Sequence, residues 1–312
     1  MNKPNSLKKN DKVAIIAPSS SADYKRVEKA KVAVEELGLI PIMYPSCYER
    51  HGHFSGTDEI RAKDINDAFI NPEVKGIICL KGGYGTPRLL PLLDYNNIKK
   101  NPKVFIGYSD ITGLHIALNK MCNMVTYHGP MAAAGLINNT DAYTMKYFKD
   151  ALFSSKPIGV LNNPDNEEIT TLVEGNVTGE IVGGNLSLIV STLGSKYEID
   201  VKNKILFIED VHESNYKIDR MLTSLSLANK FEDCAGVILG TFTGCEPELR
   251  NGVQKDLDLD VIFNEIIVPF NKPTILNFRA GHNYPQPTFP FGIKVNLNAT
   301  EKTVTFLENS NK

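Results

Sequence analysis

The stretch Lys103-Val104-Phe105-Ile106-Gly107-Tyr108-Ser109-Asp110-Ile111-Thr112-Gly113-Leu114-His115 reads as an apolar strand, a sharp turn holding one serine, and then a helix. An elbow of this kind lifts a hydroxyl above the carboxyl end of a sheet, and the first free N–H groups of the helix point at negative charge developing beside it. The stretch departs from the full elbow pattern G-x-S-x-G, because Ile111 stands where the second glycine falls. Gly107 to Asp110 also suits a plain helix start, in which Ser109 or Asp110 accepts from backbone N–H groups.

Outward from this elbow, strand and helix patterns alternate through the first half of the chain, which predicts a parallel sheet with helices on both faces. Val13 to Ala17 is a buried-strand run closed by Pro18, Asp23 to Gly38 follows as a helix, and Leu39 to Met43 returns as strand. Thr57-Asp58-Glu59 opens a second helix that Asn71-Pro72 stops. The third strand, Gly76 to Leu80, runs directly into Lys81-Gly82-Gly83-Tyr84-Gly85. Glycines there let backbone approach a ligand and present N–H groups to it, so the loop is a candidate oxyanion donor. A simple tight turn reads equally well from it. The nucleotide-binding spacings G-x-G-x-x-G and G-x-x-x-x-G-K-[ST] are absent.

Periodicity lapses between about Ser154 and Glu174, a stretch carrying Pro157, Gly159, Asn162, Asn163 and Pro164. This predicts a first domain over 1–155, a linker over 156–172 and a second domain over 173–312. The second domain mixes strands at Val177 to Gly184, Lys204 to Ile208 and Gly236 to Gly240 with helices at Asn185 to Leu193, Lys217 to Ala228 and Leu259 to Ile267. A hairpin of Gly292 to Leu297 with Val304 to Leu307 closes it.

The formal charge of −2 gives no general attraction to nucleic acid or anionic membrane, which points to small-molecule partners. The start is polar and basic, and Val13 to Ala17 is too short for a secretory or membrane-spanning segment, so a cytoplasmic protein is expected. Five scattered cysteines, none spaced C-x-x-C, fit reduced thiols better than a disulfide framework. Cys47, His51 and His53 are the one metal-like cluster; they sit among turn formers with no fourth ligand, and a surface loop is the reading.

A serine nucleophile needs a base and an orienting acid. Glu209-Asp210 follows the apolar run Ile205 to Ile208, so a carboxylate emerges at a strand's carboxyl end, where active-site loops collect. His282 sits in Ala280-Gly281-His282-Asn283-Tyr284-Pro285, a stiffened loop. Rival bases are His115, nearly two helical turns past Ser109 and placed to pack below it, and His128, which opens a loop after Met124 to Tyr127.

Together these residues resemble the LD-carboxypeptidase family, serine peptidases typified by muramoyltetrapeptide carboxypeptidase, with the microcin C self-immunity peptidases as relatives. The resemblance covers almost the whole chain through Ala17-Pro18-Ser19-Ser20, His53-Phe54-Ser55-Gly56-Thr57-Asp58, Lys81-Gly82-Gly83-Tyr84-Gly85 and Gly107-Tyr108-Ser109-Asp110. It continues through Gly183-Gly184-Asn185-Leu186, Ile208-Glu209-Asp210-Val211, Ile218-Asp219-Arg220-Met221-Leu222 and Gly281-His282. It implies an α/β fold with an N-terminal Rossmann-like parallel-sheet domain and a smaller β-rich mixed C-terminal domain. It also implies Ser109 as nucleophile, His282 as base, Glu209 as its orienter, and oxyanion donors in the backbone N–H of Gly83 and Asp110, with no metal or cofactor. Lys81 stands where many members carry Arg, which keeps the charge but loses a bidentate clamp.

A carboxypeptidase must also recognise a free terminal carboxylate, for which Lys81, Arg88 and Arg279 are the basic candidates, each of which also reads as a surface charge or a partner for a neighbouring acid. The expected substrate is a murein tetrapeptide losing its terminal D-alanine during peptidoglycan recycling. The competing readings are a self-immunity peptidase acting on a peptidyl-adenylate, weakened by the absence of Trp, and a non-catalytic small-ligand binder on the same frame. Edge strands and an apolar helix face leave room for a homodimer.

Overall fold

The computed structural model describes residues 1–137, 141–247, 249–250 and 253–312. Contacts divide the chain into two units, the first built from residues 1–158, 285–292 and 309–312 and the second from 159–284 and 293–308.

The first unit alternates as its hydrophobic pattern requires: β1 Lys12–Ile16, α1 Tyr24–Glu36, β2 Ile40–Met43, α2 Asp58–Ile70, β3 Val74–Cys79, α3 Tyr95–Lys100, β4 Val104–Gly107, α4 Thr112–Cys122, β5 Thr126–His128 and α5 Ala142–Leu152. The continuous apolar run of β1 is buried on both faces, the signature of a central parallel strand. Asp23 caps α1 by accepting from Arg26 N–H at 2.9 Å, and Val27, Ala30, Ala33 and Val34 form its buried stripe. The parallel sheet runs β5-β4-β3-β1-β2. Strand order therefore reverses between β1 and β3, and loops leaving the carboxyl ends there diverge to open a crevice.

Strand Phe289–Phe291 extends this sheet antiparallel to β5, pairing Phe289 with His128. Its central Pro290 is tolerated because an edge strand pairs on one side only.

The second unit holds an eight-stranded sheet in the order Gly159–Val160, Thr303–Phe306, Lys294–Asn298, Asn176–Asn185, Ile205–Val211, Gly236–Thr243, Thr274–Leu276 and Thr170–Val173. Its centre, from Asn176–Asn185 to Thr274–Leu276, is parallel, and both flanks are antiparallel. This is the expected α/β arrangement, with a largely parallel first sheet and a β-rich mixed second unit. The stretch over 156–172 contributes the edge strand Gly159–Val160 and most of Thr170–Val173. Two- and four-residue strands, mostly half-exposed, are too short to write a period into the sequence. Among the described residues no helix is long and apolar enough to cross a membrane.

Candidate functional site

At the carboxyl end of β4 the chain turns through Ser109, whose backbone is left-handed with φ 64°. A residue with a Cβ adopts this conformation only where its surroundings hold it there. The plain-cap alternative is not what forms: neither the short turn Ser109–Ile111 nor α4 receives a side-chain cap, and the Asp110 carboxylate bonds to other loops. Gly82, after β3, lies against the serine so closely that a Cβ there would meet Ser109 Cβ at 2.9 Å and its Oγ at 3.0 Å. The glycine loop and the elbow of the first unit are thus brought together.

Asp110 is fully buried. Its Oδ2 accepts from Ser19 Oγ at 2.5 Å and from the Thr86 backbone N–H at 2.9 Å, and the Thr86 hydroxyl donates to the Asp110 carbonyl. Burial pushes its carboxyl above the usual range, opposed by these donors and by the nearby Arg61 guanidinium. Arg61 is itself buried on the inward face of α2, donating to Pro18 O at 2.6 Å and Gly85 O at 3.3 Å and paired with Asp58. Ser19, Arg61 and Thr86 carry no functional signal as letters in the sequence. Ser19 alone lies in a stretch shared with the resembled family.

In the second unit Glu209 and His282 are brought together. Glu209, near the end of strand Ile205–Val211, is fully buried, and its Oε2 is 2.7 Å from His282 Nδ1. Gly281 makes this approach feasible: its φ is 139°, and a Cβ there would meet Thr241 Oγ1 at 2.5 Å and Glu209 Oε2 at 2.9 Å. Burial disfavours the imidazolium, but the adjacent Glu209 carboxylate outweighs it and holds the His282 pKa above its ordinary value. Nδ1–H donated to the carboxylate leaves Nε2 as the ring's basic atom. Neighbouring Asp210 steadies the strand end by accepting from Asn185 Nδ2 at 2.9 Å and from the Ser187 N–H and hydroxyl.

The basic candidates differ. Arg88 pairs with Asp58 at 2.8 Å and lies over the Phe54 ring. Arg279, in the second unit, pairs with Glu167 at 3.3 Å and donates to Tyr284 O. Lys81 sits at the head of the glycine loop, donates to Ser21 O at 3.4 Å and makes no ion pair among the described residues. Burial, and then the charge of Arg26, lower its pKa.

The rival histidines are packed into the first unit. His115 is buried with Nε2 2.9 Å from Gly107 O and its ring edge-on to Phe105 and Phe291, and burial lowers its pKa to about 4. His128 is buried among the rings of Tyr108, Phe289 and Phe291. Cys47 is buried and donates to Ile15 O at 3.1 Å, whereas His51 and His53 are exposed. Among the described residues no group of three or more His, Cys, Asp or Glu side chains could hold a metal ion.

Known proteins share this frame. The sequence profile of the LD-carboxypeptidase N-terminal domain matches residues 13–129, and that of the LD-carboxypeptidase C-terminal domain matches residues 178–297. A Bacillus subtilis (strain 168) protein named probable murein peptide carboxypeptidase is 39% identical over 302 residues, 96% of this chain and 93% of that one. Among solved structures, muramoyltetrapeptide carboxypeptidase from Oxalobacter formigenes superposes with a TM-score of 0.80 at 27% identity, covering 94% of this chain and 97% of that one. The microcin C7 self-immunity protein superposes with a TM-score of 0.90 at 23% identity over the whole of both chains, a likeness of fold.

Proposed function

This chain belongs to the LD-carboxypeptidase family and is a peptidase; from that premise we propose that it is a cytoplasmic serine L,D-carboxypeptidase that removes the terminal D-alanine from murein tetrapeptide in peptidoglycan recycling. The observation that carries the reading is Ser109, held left-handed at the end of β4 against the glycine loop. In this reading Ser109 Oγ attacks the scissile carbonyl carbon while His282 Nε2 takes its proton. The C–N bond then breaks, and the same proton passes to the leaving amine of D-alanine. Water, deprotonated by the same ring, releases the acyl group. Glu209 fixes the tautomer and favours the imidazolium formed in each step. The backbone N–H groups of Gly83 and Asp110 receive the oxyanion, each worth on the order of 3 kcal/mol. Lys81 is the proposed partner of the terminal carboxylate, since Arg88 and Arg279 already hold carboxylates of their own.

The test is to incubate wild type and Ser109→Ala with murein tetrapeptide and follow loss of one alanine by mass spectrometry. Release by wild type alone is expected. Release by neither sends the assignment to peptidyl-adenylates or to a non-catalytic binder, and equal release by both overturns the serine mechanism.

A further inference from the structure

We infer that Asp110, Ser19 and Thr86 form a buried positioning brace that sets the separation of the two oxyanion N–H groups, and so governs turnover and not substrate affinity. The inference rests on Ser109 being the nucleophile. One Asp110 carboxylate oxygen gathers the Ser19 hydroxyl from the loop after β1 and the Thr86 N–H from the loop after β3, and Thr86 returns a second bond to the Asp110 carbonyl. The residue immediately following the strained serine is therefore tied to both neighbouring loops at once.

The tie continues along those loops. Arg61 bridges Pro18 O and Gly85 O, the residues just before Ser19 and Thr86, and Ser20 Oγ accepts from Tyr84 N–H at 3.3 Å. Gly83 is pressed against the same serine, since a Cβ on it would fall 2.0 Å from Ser20 Oγ. Residues 18–20 thus hold 83–86 rung by rung, at the crevice where the strand order reverses. One end of the ladder carries the Gly83 N–H and the other the Asp110 N–H. Oxyanion donors act through where they point in the transition state, so a shift in their spacing lowers kcat and leaves ground-state binding alone.

Thr86→Val keeps the buried volume and deletes the hydroxyl donor, whereas Thr86→Ser keeps the donor. Steady-state hydrolysis of tetrapeptide is expected to show kcat lower by about 10- to 100-fold in Thr86→Val with KM within about twofold. Thr86→Ser should restore kcat to within a few-fold of wild type. In parallel, the rate at which a fluorophosphonate labels Ser109 should fall in Thr86→Val and recover in Thr86→Ser. Ser19→Ala, which removes another donor to Asp110, provides the same comparison if Thr86→Val does not fold. A wild-type kcat and labelling rate in folded Thr86→Val or Ser19→Ala, or an equal loss in Thr86→Ser, overturns the brace. Wild type that hydrolyses no tetrapeptide but is labelled at Ser109 removes the substrate assignment and leaves the labelling comparison to decide the brace. Wild type that is never labelled removes the serine reading and the brace with it.

Discussion

In the proposed reaction, the hydrogen bond between His282 and Glu209 sets the working pH. A ring that takes a proton must first be neutral, and Glu209 holds the His282 pKa above its ordinary value, so with His282 as the proposed base turnover is expected to fade as pH falls through that raised value. Glu209→Gln keeps the shape and removes the charge. Burial is then opposed only by the smaller effect of the Asp210 charge, and the His282 midpoint in an NMR titration should drop below that of wild type, with kcat reduced on the order of 10⁴-fold. An unchanged midpoint would show that the carboxylate does not set the ring's basicity. Ser109, Glu209 and His282 were legible as candidates because each stands at a strand end or in a glycine-bearing loop, positions with a visible pattern, whereas the preference for His282 over His115 and His128 came from the family resemblance. The brace was not legible, because Ser19, Arg61 and Thr86 are ordinary polar letters whose meaning comes from burial.

Helix α2 illustrates the same limit for an element. Its start was legible in Thr57-Asp58-Glu59 and its stop in Asn71-Pro72, but its inward face carries Arg61 and Asp64 beside Ile65, Ala68 and Phe69. A charged residue on a buried stripe contradicts the amphipathic rule, and the carbonyls of Pro18 and Gly85, the carboxylate of Asp58 and the Phe54 ring beneath the guanidinium explain it. Arg61→Met preserves length and apolar bulk but strands those acceptors. It should cost about 3 kcal/mol, read as a lower urea midpoint with an unchanged slope; an unmoved midpoint would mean that water or a shifted backbone replaces the guanidinium. Strands β1, β3 and β4 were legible as apolar runs. Phe289–Phe291 was not, because a three-residue edge strand with a central proline resembles a loop until its partner is known.

For the molecule as a whole, all five cysteines are free and buried. Burial pushes the thiols of Cys47, Cys122 and Cys234 up to about 12 and that of Cys245 to about 11. A thiol is reactive only as thiolate, so the folded protein at neutral pH should take up no aromatic disulfide reagent over minutes, while the denatured chain should take up five equivalents. Rapid reaction of any thiol in the folded state would contradict the burial described.

The return of the chain to its first unit bears on how such a gene can change. Tyr127 donates to Ser310 O, Asn311 Nδ2 donates to Ala151 O and Ser154 O, and Phe289–Phe291 completes the sheet beside β5. A polypeptide ending at residue 158 would leave β5 as a bare edge inviting foreign strands. One recombination event between the codons for residues 158 and 285 would therefore give a hybrid whose first unit is finished by another parent's residues 285–292 and 309–312. An exchange that carries the codons for residues 1–158, 285–292 and 309–312 together should keep this sheet and its closing contacts intact.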